Sequence, residues 1–344
     1  MRARNLSIVV LFLLEALALQ AWAAQQGTDP GAEYLTRQDS LDFIEEMVQS
    51  HGFDRGELTK IFRAVVKRDE LFELMERPAE KKPWYKYRPI FVTESRASAG
   101  LDFWAKNEVW LERAQAEFGV PPEIIVAIVG VETRYGTYTG KQPVFDTLVT
   151  FAFDYPKRAR FFRRELEQYL LLAREEGIDP REPTGSYAGA MGMPQFIASS
   201  YRSYAIDFDG DGRRDLWNSP ADVIGSVANY FARHGWRDGG EVIRPASVEG
   251  SAWRALEGGL KPRFTLAEME RVGVRNTGES VPSDTEVTLI ELELDDGERH
   301  VLGLHNFYVI TRYNHSELYA MAAWELSQLV RHLRNEQTLA KGEE

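Results

Sequence analysis

The chain has 344 residues, of which 44% are hydrophobic and 27% charged, and at about 150 residues per domain it offers material for two or three domains. This composition excludes a disordered chain, a collagen and a polytopic membrane protein. Cysteine is absent, which excludes disulfides, thiolate zinc, iron–sulfur clusters, a cysteine nucleophile and a cysteine-linked lipid anchor. A formal charge of −12 argues against a general nucleic-acid binder, whose phosphate contacts need a basic surface.

Arg2 and Arg4 precede a mostly apolar stretch at 6–14, and Ala21-Trp22-Ala23 is a small-x-small site. Residues 1–23 therefore read as a secretory signal peptide cleaved after Ala23. The alternative, an uncleaved anchor, is disfavoured by Glu15 and Gln20, since an acid at mid-span costs roughly 2.5 to 3.5 kcal/mol. The expected product is an exported periplasmic protein with no stable membrane anchor. Residues 24–37 are polar with Gly and Pro and read as a flexible leader.

Helical spacing then begins, with Leu41, Ile44, Met47 and Val48, followed by Leu58, Ile61, Phe62, Val65 and Val66. The run KKPWYKYR at 81–88 separates these helices from a helical block starting near Asp102. From Leu111 to about Trp236 the pattern is helical again, broken by loops at 135–140, 177–192 and 207–220. After Trp236, Gly and Pro become frequent. Thr265 and Glu268 form a capping-box pattern, 287–294 alternates as a strand, and Asp296-Gly297 is a hairpin turn signal. Residues 299–304 and 307–311 read as further strands, and 316–335 as a closing helix. The reading is a mainly α protein: a helical domain at 38–112 with 322–336, a core at 113–236 with 305–321, and a small β-rich domain at 237–304.

Pro121-Pro122-Glu123 opens a helix in the way a first-turn proline should, and residues 124–131 are apolar on every face, so this helix is buried all round. Glu132 is the first charge after that run. Desolvation and the negative end of the helix dipole both push its pKa upward, which suits a general acid. From position alone, the alternative of a structural carboxylate paired with Arg134 or with a partner across the core is the favoured one.

The strings VETRYG, FDTLVTFAFDYPKRARFF, GSYAGAMGMPQF and SVANYFARHGW stand in an order that resembles the B-type lytic murein transglycosylases, over roughly residues 38–335. The resemblance implies a lysozyme-like α-helical core and Glu132 as the sole catalytic acid/base. It implies cleavage of the β-1,4 bond between N-acetylmuramic acid and N-acetylglucosamine of peptidoglycan glycan strands, leaving 1,6-anhydromuramoyl ends. It further implies substrate contacts from Ser186, Gln195 and Asn314, a cleft lined by Tyr87, Phe196, Tyr230, Tyr313 and Tyr319, and carboxylate binding by the basic pair Lys157 and Arg158. For the aromatics, core packing is the alternative. For the pair, it is a solvated helix face. Ordinary glycosidases need two carboxylates. The nearest second carboxylates, Asp146 and Asp154, read as helix caps or loop residues.

Asp207, Asp209, Asp211, Arg213 (through its carbonyl) and Asp215, with Gly212 at position 6, fit the opening of an EF-hand loop. Position 12 is Asn218, which offers no bidentate carboxylate. Asp222 is the later residue that would close the loop, by analogy with the resembling enzymes. A single loop suggests structural calcium of weak affinity, on the order of 10⁻⁴ to 10⁻³ M. The alternative is a metal-free Asp/Gly turn. No organic cofactor is expected. Other cell-wall enzymes are possible partners. Two further functions stay open: a muramidase-type hydrolase on the same core, and a non-catalytic peptidoglycan-binding scaffold.

Overall fold

A computed structural model describes residues 29–76, 82–256 and 258–342. The signal segment expected at 1–23 lies outside them. The flexible leader expected at 24–37 needs correction from Asp29 onward. Residues Ala32–Leu35 form a 3-10 turn in which Tyr34 is fully buried, its hydroxyl donating to Asp154 at 2.7 Å. Arg37 adds a second bond to Asp154 at 2.5 Å. The polarity of this segment marks contacts with the body of the protein.

Helices α1 (Gln38–His51), α2 (Arg55–Arg63) and α3 (Leu71–Glu76) follow. Gly52, at φ 66°, ends α1 in the left-handed conformation a glycine adopts without Cβ strain. The Asp54 side chain accepts the Glu57 amide to start α2. The run expected to separate helical blocks is itself largely helical: α4 spans Trp84–Phe91 behind Pro83, and Trp84 and Tyr87 are buried. The next helix, α5 (Glu94–Lys106), starts eight residues before Asp102 because Thr93 caps it by accepting the Arg96 amide. Four helices form the middle of the chain: α6 (Glu108–Phe118), α7 (Pro122–Thr133), α8 (Val144–Asp154) and α9 (Ala159–Glu176). In α7 residues 124–131 are all buried, and each large apolar side chain contributes roughly 1.5 to 3 kcal/mol.

A two-residue ladder pairs β1 (Gln142–Pro143) with β2 (Thr184–Gly185), and α10 (Ala198–Tyr204) and α11 (Pro220–Arg233) complete this part. The insert holds a five-stranded antiparallel sheet in the order β4-β6-β7-β3-β5. Its strands are β3 (Ile243–Val248), β4 (Phe264–Thr265), β5 (Val274–Asn276), β6 (Glu286–Leu294) and β7 (Gly297–Gly303). The Thr265/Glu268 capping box opens α12 (Leu266–Arg271) as expected. Alternation along β6 and β7 divides the sheet's two faces. Val287, Leu289 and Leu302 pack with Leu266 and Met269 in a small separate core, whereas Ile290, Leu292 and Val301 join the main one.

Residues 307–311 were expected as a strand, but they form part of α13 (His305–Tyr313). The sequence is rich in β-branched and aromatic residues. Burial of Asn306, Phe307, Val309, Ile310 and Thr311 on one helical side overrides that local preference. The last helix, α14 (Glu317–Gly342), packs on α7, α5 and α4. Its Glu325 accepts Arg88 from α4 at 2.5 Å and Arg299 from β7 at 2.6 Å, joining three regions distant in sequence.

Candidate active site

The C-terminal end of α7 is held by an unusual turn. Arg134 and Tyr135 both adopt positive φ, 48° and 58°, a conformation that non-glycine residues adopt only where tertiary contacts hold it. The Tyr135 hydroxyl donates to the Arg96 carbonyl at 3.0 Å, and its ring stacks on Phe103 at 5.5 Å. Gly100 and Gly130 make room for that ring: a Cβ on Gly130 would lie 2.5 Å from the tyrosine oxygen. Thr133 donates to the Met193 carbonyl at 2.8 Å and accepts the Gly136 amide at 3.0 Å. The helix end and the GMPQF loop are thereby tied together.

Glu132, half-buried, sits at this exit. Tyr319, from the first turn of α14, donates its hydroxyl to Glu132 Oε1 at 2.5 Å. The Tyr313 ring lies parallel to Tyr319 with centroids 6.4 Å apart, and its own hydroxyl donates to the Pro194 carbonyl at 2.6 Å. Burial, with the Glu132 charge adding to it, pushes both tyrosines well above 10. Both stay protonated, so Tyr319 remains a donor to the carboxylate at neutral pH. Arg134, the alternative partner for Glu132, has its guanidinium over the Tyr138 ring.

Neither candidate second carboxylate is free. Asp154 is held by Tyr34 and Arg37, and Asp146 pairs with Arg68 at 3.2 Å.

The other expected contacts divide into two groups. Arg158, Gln195, Phe196, Tyr230 and Tyr313 line one cavity of about 600 Å³. Phe196, Tyr230 and Tyr313 pack on one another with centroids 4.9 to 5.8 Å apart, so packing and lining coexist in these rings. The backbone of Gln195 is left-handed, and its side-chain amide nitrogen donates to the Thr139 and Gly192 carbonyls. Asn314 ends α13.

Three expectations change. Tyr87 is 1% exposed and packs on Phe91 at 5.0 Å, because α4 turns its aromatic side inward. The Ser186 hydroxyl accepts the Ala188 and Ala190 amides, so it shapes its own loop. Lys157 is exposed and paired with Glu76, whereas Arg158 covers Phe161 at 4.4 Å. The basic pair is thus split, with only Arg158 on the cavity. Sequence reading missed Arg312, His315 and His234, which also line it; the signal for the first two was that they flank Tyr313-Asn314.

In the acidic loop, carboxylate oxygens of Asp207, Asp209 and Asp211 lie within 4.8 Å of one another, a hard-oxygen donor set that suits a divalent cation such as calcium. The Asp207 side chain also accepts the Gly210, Asp211 and Gly212 amides. Asp215 instead accepts the Trp217 and Asn218 amides. Asp222 is buried, with its oxygens bound by the Phe208 and Asp215 amides at 2.7 and 2.8 Å. The expected closing ligand thus sits beneath the loop with each oxygen accepting one backbone amide. The Arg213 amide bonds Asp211 at 2.9 Å, and its carbonyl is the position-7 donor.

Comparison with known proteins decides the family, since the transglycosylase SLT domain matches residues 36–328. The chain belongs to that family. It is 42% identical over 310 residues to the membrane-bound lytic murein transglycosylase B of Escherichia coli (strain K12), covering 87% of this chain and 84% of the relative. The catenated lytic transglycosylase SltB1 of Pseudomonas aeruginosa is 47% identical with a TM-score of 0.83, over 87% of this chain and 98% of that one. The lytic transglycosylase Slt35 of E. coli, solved in complex with calcium, is 43% identical with a TM-score of 0.80, over 87% and 94%. The mainly α, lysozyme-like fold read from the sequence stands.

Proposed function

We propose that the protein is a lytic murein transglycosylase with Glu132 as its single acid/base. The observation that carries this reading is the Tyr319–Glu132 hydrogen bond at the mouth of a buried helix, in a chain whose relatives bear that activity in their names. Glu132 in its acid form protonates the bridging oxygen as the N-acetylglucosamine hydroxyl departs. As a carboxylate it then takes the proton of the muramoyl C6 hydroxyl, whose oxygen attacks C1 and closes the 1,6-anhydro ring. No water is consumed, and one carboxylate serves both proton transfers. The engaged state of Asp146 and Asp154 supports a one-carboxylate scheme over a two-carboxylate hydrolase.

Purified murein digested by the wild type and by Glu132→Gln tests the reading. Muropeptides lighter by one water than hydrolytic products, formed only by the wild type, support it. Reducing ends would assign a muramidase instead, and equal conversion by both proteins would remove Glu132 from the mechanism. No conversion, with binding retained, would mean a scaffold.

Calcium is the cation that the Asp207, Asp209 and Asp211 set suits, with the Arg213 carbonyl beside them, and its role here is to order the loop. The proposed location is the periplasm, by export through the 1–23 signal. No single helix among the described residues is long and apolar enough to cross a membrane. Fractionation of cells producing the tagged full chain tests the location.

A further inference from the structure

A second cavity, of about 450 Å³, shares no lining residue with the one beside Tyr313. The two meet different faces of α10: Ser199 and Ser203 line the first, and Tyr201 lines the second. Walls of the second come from the end of α9, the 178–184 segment and the 213–218 stretch of the acidic loop. Its size falls among small-molecule sites, which span about 300 to 1,000 Å³.

Trp217, half-buried, is the aromatic wall of this cavity. Its indole N–H donates to the Thr184 carbonyl at 3.2 Å, and its backbone amide donates to Asp215 at 2.8 Å. The buried Tyr201 ring packs on it with centroids 5.8 Å apart, and the Tyr201 hydroxyl is fixed in turn by the Arg214 carbonyl. The indole is therefore held in orientation with its one polar group satisfied, and what it has left to offer a ligand is carbon surface.

Most of the charged groups around that ring are already engaged. Arg214 donates to Glu176 at 2.7 Å. Asp215 accepts the Trp217 and Asn218 amides and the Asn218 carboxamide nitrogen, the last at 3.0 Å. Glu182 and Arg213 remain, both exposed and without an ion pair among the described residues. One is an acceptor and the other a donor, so a purely cationic or purely anionic ligand could use only one of them. A neutral hydroxylated ligand can use both.

Carbon surface flanked by one free acceptor and one free donor suits a pyranose. Its C–H face lies on the indole, its hydroxyls donate to Glu182 and accept from Arg213, and Leu172, Ile178 and Pro183 in the lining suit an acetamido methyl group.

We propose that this cavity is an accessory binding site for N-acetylhexosamine units of a glycan strand, with Trp217 as its platform, separate from the site at Glu132. The proposal rests on the lytic transglycosylase reading and goes beyond it. A strand held at one site meets the other at high effective concentration, so polymeric murein is retained better than a short oligomer.

Titration of Glu132→Gln with a β-1,4-linked N-acetylglucosamine trimer, followed by the indole N–H resonances at one fixed calcium concentration, reads the site without turnover. The Trp217 signal, identified by its loss in Trp217→Phe, should shift and saturate. Adding Glu182→Ala, which leaves the indole in place, should weaken the affinity read at that signal about threefold to tenfold. On sacculi, Trp217→Ala should lower kcat/KM about threefold to tenfold relative to its effect on a soluble glycan tetrasaccharide, mainly through KM. An unmoved Trp217 signal, or equal losses on sacculi and tetrasaccharide, overturns the proposal. A shift produced by trilysine and not by the trimer also overturns it and assigns the cavity to a cationic peptide. A wild type that cleaves no murein would instead overturn the transglycosylase reading, from which the titration of the inactive variant is independent. Should Trp217→Ala melt early, Glu182→Ala provides the same comparison on sacculi.

Discussion

Replacing Tyr319 by phenylalanine removes one hydroxyl and leaves the ring, its stacking on Tyr313 and the buried shape intact. What is lost is the 2.5 Å hydrogen bond to Glu132 Oε1. A hydrogen bond to a charged group contributes about 1.5 to 3 kcal/mol. At 1.36 kcal/mol per tenfold in rate, its loss translates to roughly 10- to 150-fold. The whole of that appears in kcat if the bond acts by holding the carboxylate against the bridging oxygen in the transition state, because ground-state binding of the glycan does not pass through this hydroxyl. The assay is release of soluble muropeptides from purified sacculi, with kcat and KM separated, alongside a thermal melt. The reasoning is refuted if Tyr319→Phe keeps wild-type kcat, or if the loss is confined to KM. A melt that collapses together with activity would show that the hydroxyl supports the fold rather than the carboxylate.

Gly130→Ala should destabilise by about 1 to 3 kcal/mol and lower activity, because the new Cβ would meet the Tyr135 ring at 2.5 to 3.0 Å; denaturant melts with activity assays check this. Calcium at about 10 to 100 times Kd should stabilise the wild type by roughly 1.4 to 2.7 kcal/mol, raising the melting temperature by a few degrees, and Asp209→Ala should abolish the shift without changing the calcium-free melt much. Asp179 is held down to about 2 by hydrogen bonds from Arg181. Its folded pKa lies below its unfolded one, so its stabilisation is present above about pH 4 and lost as pH falls toward about 2. The urea-midpoint difference between wild type and Asp179→Asn should therefore close over that range, starting from no more than about 1 kcal/mol for a largely exposed pair. Arg158→Ala should raise KM for murein several-fold while Lys157→Ala barely changes it, since Lys157 is paired with Glu76 away from the cavity lining.

Glu132 stood out in the sequence because it follows eight apolar residues, and that contrast is local. The same holds for the capping box at Thr265 and the alternating Asp residues at 207, 209 and 211. Reading failed where a residue's role is set by what packs on it. Residues 307–311 have strand-like chemistry and became helix because one side of that helix fits the core. Tyr87 was placed in the cleft by motif, yet its side chain faces inward, and the Ser186 hydroxyl accepts two amides of its own loop. Asp222, the expected closing ligand, binds the Phe208 and Asp215 amides beneath the loop, which the sequence did not announce.

The sequence by itself determined the apolar helix with its single terminal carboxylate, the absence of cysteine chemistry, and the family through the order of four motifs, because each is written in adjacent residues. Only the tertiary structure decided which partner Glu132 has, since Tyr319 lies 187 positions away. The structure likewise decided that the basic pair is split between a surface ion pair and a cavity, and that Arg312, His315 and His234 join Arg158 there. Those facts depend on which side chains converge across helices, and neighbouring letters do not encode that distance.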